Sequence, residues 1–125
     1  MENQTENKAY TLRRLNDEDL FAVVELIGAA LPDEARAAFV QKFAGKKTEE
    51  TVEQFGAAVA FDIAKFVMKN IRACKNEVYA LLSDVSGIPA DEIKKMPFGT
   101  TPKMLKEIFE NEKNSDFFTE LSKLL

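Results

Sequence analysis

The chain has 125 residues, of which 46% are hydrophobic and 30% are charged, and its formal net charge is −4 at pH 7. This composition is typical of one folded domain and excludes an intrinsically disordered chain. The acidic balance argues against a nucleic-acid-binding protein, because phosphate contacts normally require a basic surface.

Residues suited to catalysis or metal binding are scarce. Histidine is absent and cysteine occurs once, at Cys74, so histidine-based acid–base catalysis, Cys/His nucleophile pairs and the common zinc sites are excluded. The carboxylates of residues 17–19 and 33–34 each fall in the first turn of a predicted helix, where the helix dipole favours negative charge. We therefore expect a protein that is not an enzyme and needs neither a cofactor nor a metal ion.

Targeting and membrane signals are also missing from the sequence pattern. The first ten residues, MENQTENKAY, contain no apolar stretch that could act as a signal peptide, and no run of apolar residues reaches the length of a membrane span. A single cysteine gives no internal disulfide. We expect a cytoplasmic protein without membrane contact.

The predicted elements begin after a disordered tail, residues 1–8, and residues 9–125 form a single helical domain. Residues 10–15 alternate imperfectly between polar and apolar, which predicts a short strand or an ordered lead-in. Asn16 is a suitable N-cap for a first helix that closes before Pro32. Further helices are predicted over residues 32–45, 48–74, 75–86, 89–96, 102–111 and 115–125.

The third of these predicted helices, residues 48–74, is the longest and carries two apolar stripes. A helix with apolar residues on two sides is normally wrapped by neighbours, so we expect it to be the central element. The predicted fold is all-α, with six or seven helices around this long helix and one short N-terminal strand as an option. The second apolar stripe of the helix predicted over residues 48–74 consists of Ala57, Phe61, Ala64 and Met68.

Two surfaces are candidates for partner binding. A basic helix face can meet phosphates or an acidic partner, although such a face is more often simply solvated. Here it consists of Lys65, Lys69 and Arg72. Apolar side chains of the last forty residues can either pack onto the domain or enter a partner's groove. The candidates in this second set are Phe98, Met104, Phe117, Phe118, Leu121 and Leu124.

Two stretches of the sequence resemble the tail assembly chaperones of long-tailed phages and prophages of Gram-positive bacteria. The first is YTLRRLNDEDLFAVVELI, residues 10–27, in which the matching positions are Tyr10, Leu12, Arg13, Leu15, Asp19, Leu20 and Phe21. The second begins at CKNEVYALLSDVSGIPADEIKKMP and ends at DFFTELSKLL, residues 74–97 and 116–125. Residues 32–73 match the family only in general character.

The resemblance implies a non-catalytic function in tail morphogenesis within the bacterial host cytoplasm. Such chaperones are similar in binding the tape measure protein, in keeping its apolar helices soluble and in recruiting tail tube subunits. Many occur in a short form and a longer, frameshifted form, so we expect that this chain can continue beyond Leu125.

Other classes of function stay open at this point. A structural virion component such as a head–tail connector is the main alternative, and a homo-oligomer is compatible with either interpretation. A DNA-binding regulator is disfavoured by the net charge and by the lack of a basic helix. An enzyme is the least favoured, and a small-molecule pocket among the helices is not excluded.

Overall fold

The computed structural model describes residues 10–31 and 52–124, together with Ala37 and Gln41, which are helical. In these ranges the chain is all-helical and has no strand, which confirms the predicted fold class. Its helices are α1 (Asp19–Ala30), α2 (Val52–Lys69), α3 (Lys75–Ser86), α4 (Ala90–Ile93), α5 (Thr100–Glu112) and α6 (Phe117–Ser122). Nearly all of the predicted second helix, 32–45, and the predicted tail lie outside the described residues.

The lead-in, residues 10–16, is ordered coil and not a strand. Its backbone is held by one bond to the end of α3, in which the Arg13 N–H donates to the Val85 carbonyl oxygen at 3.1 Å. Tyr10 is buried, and its hydroxyl donates to Glu107 of α5 at 2.8 Å. Burial and the adjacent Glu107 carboxylate raise the pKa of Tyr10 to about 12. The segment contacts helices, and no strand lies beside it among the residues that the structure describes.

A reciprocal pair of hydrogen bonds starts α1. The Asp19 N–H donates to the Asn16 side-chain oxygen at 3.2 Å, and the Asn16 N–H donates to the Asp19 carboxylate at 2.7 Å. This arrangement satisfies two backbone donors at a helix start, as a capping box does. The side chain of Asn16 thus caps the turn that precedes α1. Asn16 is not the N-cap of the helix as predicted, because that position falls at Glu18, whose side chain makes no capping bond.

Two buried carboxylates anchor the lead-in to three helices. Asp19 is 2% exposed and accepts from Arg13 at 2.8 Å, while the same guanidinium donates to Asp84 of α3 at 2.7 Å. Glu112 of α5 is 3% exposed and accepts from Arg14 at 2.8 Å and 3.0 Å. The adjacent arginines therefore connect one short segment to α1, α3 and α5.

Helix α2 occupies the centre, as predicted, and packs against α1, α5 and α6. Its buried face includes Val59, Ile63 and Val67, each no more than 1% exposed. The predicted end of this helix at residue 74 is wrong, because α2 ends at Lys69. Asn70 donates from its side chain to the Phe66 carbonyl oxygen at 3.0 Å, and such local bonds compete with helix continuation. Five turn residues, 70–74, connect α2 to α3.

Left-handed glycines mark two of the helix boundaries. Gly87 has φ +78° directly after α3, at the position where a helix commonly ends in this conformation. Gly99 has φ +86° directly before α5. Helix α5 begins at Thr100 and not at Pro102, which falls within the first turn, where no backbone N–H is needed for an intrahelical bond.

Acid should destabilise the fold through Asp19 and Glu112. Burial raises the pKa of each carboxyl, but the donated hydrogen bonds and the arginine charges outweigh it, so each folded pKa lies below the ordinary values of 3.8 and 4.5. The unfolded chain therefore takes up protons first as the pH falls. We expect the free energy of unfolding, measured by urea denaturation, to be constant above about pH 5.5 and to fall progressively below it.

The substitution Glu112→Gln removes the negative charge of one of these two buried carboxylates. The carboxylate also accepts the Leu15 N–H at 2.8 Å and the Ser115 hydroxyl at 2.9 Å, so neutralising it weakens several bonds at once. We expect a loss of about 1–3 kcal/mol at pH 7 and a shallower decline in acid. Glu110→Gln, on the exposed side of α5, is the matched control. An unchanged acid profile in Glu112→Gln would contradict the assignment.

Candidate partner-binding groove

A groove open to solvent runs between α2 and α5, and its volume is about 1010 Å³. Helix α2 contributes one wall and α5 the other, so the groove is bounded by two helices that also pack together at its base. The lining residues are Ala57, Ala60, Phe61, Asp62, Ala64, Lys65, Phe66, Met68, Lys69, Pro102, Lys103, Lys106, Phe109, Glu110 and Lys113. We refer to this feature as the α2–α5 groove.

The α2 wall is the second apolar stripe of the central helix. Small side chains at Ala57, Ala60 and Ala64 leave space above the helix, and Phe61 next to them is 64% exposed. The sequence pattern predicted that neighbouring helices would cover this stripe. In the structure it lines the groove, because α1, α5 and α6 take up the other side of α2.

The α5 wall has a rigid base and a charged rim. Phe109, 3% exposed, forms part of the base and meets the Phe118 ring edge to face, with the ring centroids 5.3 Å apart. Above it, Lys103 and Lys106 lie one turn apart, Lys113 follows directly after the end of α5, and all three are exposed. Because α6 supports Phe109 from behind, the base of the groove is fixed by the core.

The rims of the groove carry more positive than negative charge. Five lysines line it against two carboxylates, Asp62 and Glu110. Asp62 lies 3.7 Å from Lys65, and Glu110 lies 3.2 Å from Lys113. The other lysines, Lys69, Lys103 and Lys106, make no ion pair with any residue that the structure describes. The groove is therefore apolar at its base and basic along both edges.

The basic face predicted from the sequence lies partly in this groove. Lys65 and Lys69 line the α2 wall, and the Lys65 ammonium lies 4.8 Å from the centre of the Phe61 ring. Arg72 is exposed in the turn after α2 and does not line the groove. The lysines of α5 were missed by the sequence analysis, although their spacing at positions 103, 106 and 113 is helical and identifies a second basic face.

Most of the predicted apolar contact residues are part of the core, which corrects the expectation of exposure. Helix α6 packs against α2, so the apolar terminal helix completes the domain. The buried members are Met104, Phe117, Phe118 and Leu121, with exposures of 0%, 8%, 0% and 0%. Phe98 and Leu124 are exposed as predicted, and Phe98 extends fully into solvent from the turn between α4 and α5.

Cys74 is a buried structural thiol. It contacts the Asn70 carbonyl oxygen at 3.5 Å and closes the turn between α2 and α3. Burial, with a smaller contribution from the Glu77 charge, raises the pKa of the thiol, which disfavours the reactive thiolate. Among the residues that the structure describes, no three His, Cys, Asp or Glu side chains converge to hold a metal ion, and no helix there is long and apolar enough to cross a membrane.

Comparison of the chain with protein-family models, with curated proteins and with solved structures gives no match. The resemblance to phage tail assembly chaperones is therefore carried by the residue pattern in the sequence.

Phe118 and Phe98 provide a direct test of the buried and exposed assignments. Phe118→Ala removes a fully buried ring that meets both Phe109 and Phe117, and we expect it to lower the free energy of unfolding by about 3–5 kcal/mol. Phe98→Ala should change it by less than about 0.5 kcal/mol. Urea denaturation measures both, and Phe118→Leu gives a smaller loss if the alanine variant does not fold. Equal effects at positions 98 and 118 would contradict the packing.

Proposed function

We propose that this protein is a non-catalytic chaperone that binds an apolar helix of a partner in the α2–α5 groove. The observation that carries the proposal is the exposed apolar base between two helices, since a soluble domain that leaves such a surface open commonly uses it for binding. In the phage context that the sequence resembles, the partner is the tape measure protein and the binding takes place in the bacterial host cytoplasm.

The dimensions of the groove fit a short helical segment. Its lining runs from Ala57 to Lys69 on α2 and from Pro102 to Lys113 on α5, which is about three helical turns on each wall. At 1.5 Å per residue this corresponds to a length of roughly 17 Å. An amphipathic helix that lays its apolar face into such a groove is a common mode of peptide recognition.

The chemistry of the base suits reversible binding to varied sequences. Burial of apolar area contributes about 25 cal/mol per Å², and ordering of the partner offsets part of this. Met68 and the small alanines accommodate different side chains, because methionine is flexible and alanine leaves space. Single contacts are then modest, and several copies bound along one long helical partner increase the overall affinity through avidity.

Recruitment of tail tube subunits, the second task implied by the resemblance, requires a surface that stays free while the groove is occupied. Phe98 does not line the groove and is fully exposed, so it is our candidate for that contact. Arg72 and Leu124 are also exposed outside the groove. A tail tube subunit bound there could approach the tape measure protein before it displaces the chaperone.

Co-expression tests the proposal. The tagged chain is produced with the long helix-rich protein encoded beside it, and the soluble fraction of that protein is measured. We expect a complex with several copies of the chaperone per partner, and we expect Ala64→Trp, which fills the groove, to abolish it. Ala80→Trp on the exposed face of α3 is the matched control and should bind normally. A partner that is equally soluble with and without the chain would contradict the proposal. A stable ring of this chain that remains in mature particles would indicate a head–tail connector instead.

A further inference from the structure

The charge pattern of the α2–α5 groove points to the class of helix that it binds. We propose that the groove selects an amphipathic helix of about three turns whose apolar stripe is bordered on both sides by Asp or Glu. This inference rests on the proposed function, since it specifies the occupant of the same groove.

Both flanks of a bound helix would meet lysines. Lys65 and Lys69 belong to the α2 wall, while Lys103, Lys106 and Lys113 belong to the α5 wall. A helix that places its apolar stripe on the base therefore presents one border of that stripe to each rim. Carboxylates at those borders lie opposite ammonium groups, and lysines or arginines there would meet like charge.

The charges available to a partner are those without an internal counter-ion. Lys65 and Lys113 already have Asp62 and Glu110 beside them. Lys69 on one wall, and Lys103 and Lys106 on the other, have no such carboxylate within the described part of the chain. The unneutralised charge is thus distributed over both walls, which is what recognition of a helix acidic on both flanks requires.

The net charge of the rest of the chain also favours an acidic helix in the groove. The whole chain has a net charge of −4, and the groove lining contributes five lysines against two carboxylates. Taken together, the residues outside the groove consequently carry a more negative net charge than the chain as a whole. The groove is thus net positive while the rest of the chain is net negative, so electrostatic steering favours the encounter of an acidic helix with the groove.

Three synthetic peptides with one common apolar stripe test the inference with the full chain. The positions that border the stripe are Glu in the first peptide, Gln in the second and Lys in the third. We expect the Glu peptide to bind at least about tenfold more tightly than the Lys peptide at low salt, with the Gln peptide between them. The difference should shrink at about 0.5 M salt, since exposed charges are then screened.

Charge-reversal variants of the protein, measured with the same peptides, provide a second test. Lys103→Glu/Lys106→Glu should reduce or invert the preference for the Glu peptide while leaving the Gln peptide nearly unaffected. Lys75→Glu/Lys95→Glu changes the net charge by the same amount at exposed lysines outside the groove, and it should retain the preference. Circular dichroism confirms that both double variants are folded.

The possible outcomes separate the two proposals. If no peptide binds, the groove does not hold a helix and the proposed function fails together with this inference. If all three bind equally, or if both double variants respond alike, the groove holds helices but charge selection is wrong. A dimer that is lost in Ala64→Trp and that the Glu peptide does not displace identifies a second copy of this chain as the occupant, which also overturns the inference.

Discussion

The groove depends on the edge-to-face contact between Phe109 of α5 and Phe118 of α6. Phe118 is fully buried beside α2, and Phe109 extends from α5 to meet it. This contact holds α5 against α6, which packs on the central helix, and the apolar stripe of α2 lines the groove beside α5. Helix α6 is therefore a structural support for the groove and not part of its lining.

The lead-in holds α5 within one turn of that contact. Arg14 and the Leu15 N–H hold Glu112 in the last turn of α5, and Arg13 connects α1 and α3 through Asp19 and Asp84. Charged side chains bury at low cost only when their hydrogen bonds are satisfied, as those of Glu112 are. Seven residues without regular secondary structure thus hold three helices in position, and the C-terminal part of α5 is held both by Phe118 and by the lead-in.

Helical periodicity and local stop signals predicted most of the fold. The positions of α1, α3 and the central α2, and the glycine after α3, all follow from spacing of apolar residues and from residue types with a known conformational role. The partnership of Glu112 with Arg14 could not be predicted, because 98 residues separate them and no local pattern connects the two. For the same reason the burial of Phe118 was missed: a terminal apolar helix has the same sequence whether it packs onto its own domain or onto a partner. The sequence pattern identified the second apolar stripe of α2, which lines the groove, but it predicted that neighbouring helices would cover this stripe.

The basic rims have a further consequence for the behaviour of the chain in concentrated solution. An exposed apolar base makes self-association a hazard, and charged residues flanking such a surface act as gatekeepers against it. A second copy that docked its own groove there would bring the lysines of both grooves together, and the net charge of −4 adds a repulsion between whole molecules. Near the isoelectric point of about 5.0 that long-range repulsion vanishes and only the local lysines remain. We therefore expect the colloidal stability of this protein in mildly acidic solution to depend on the groove lysines, which are the side chains proposed above to select a partner.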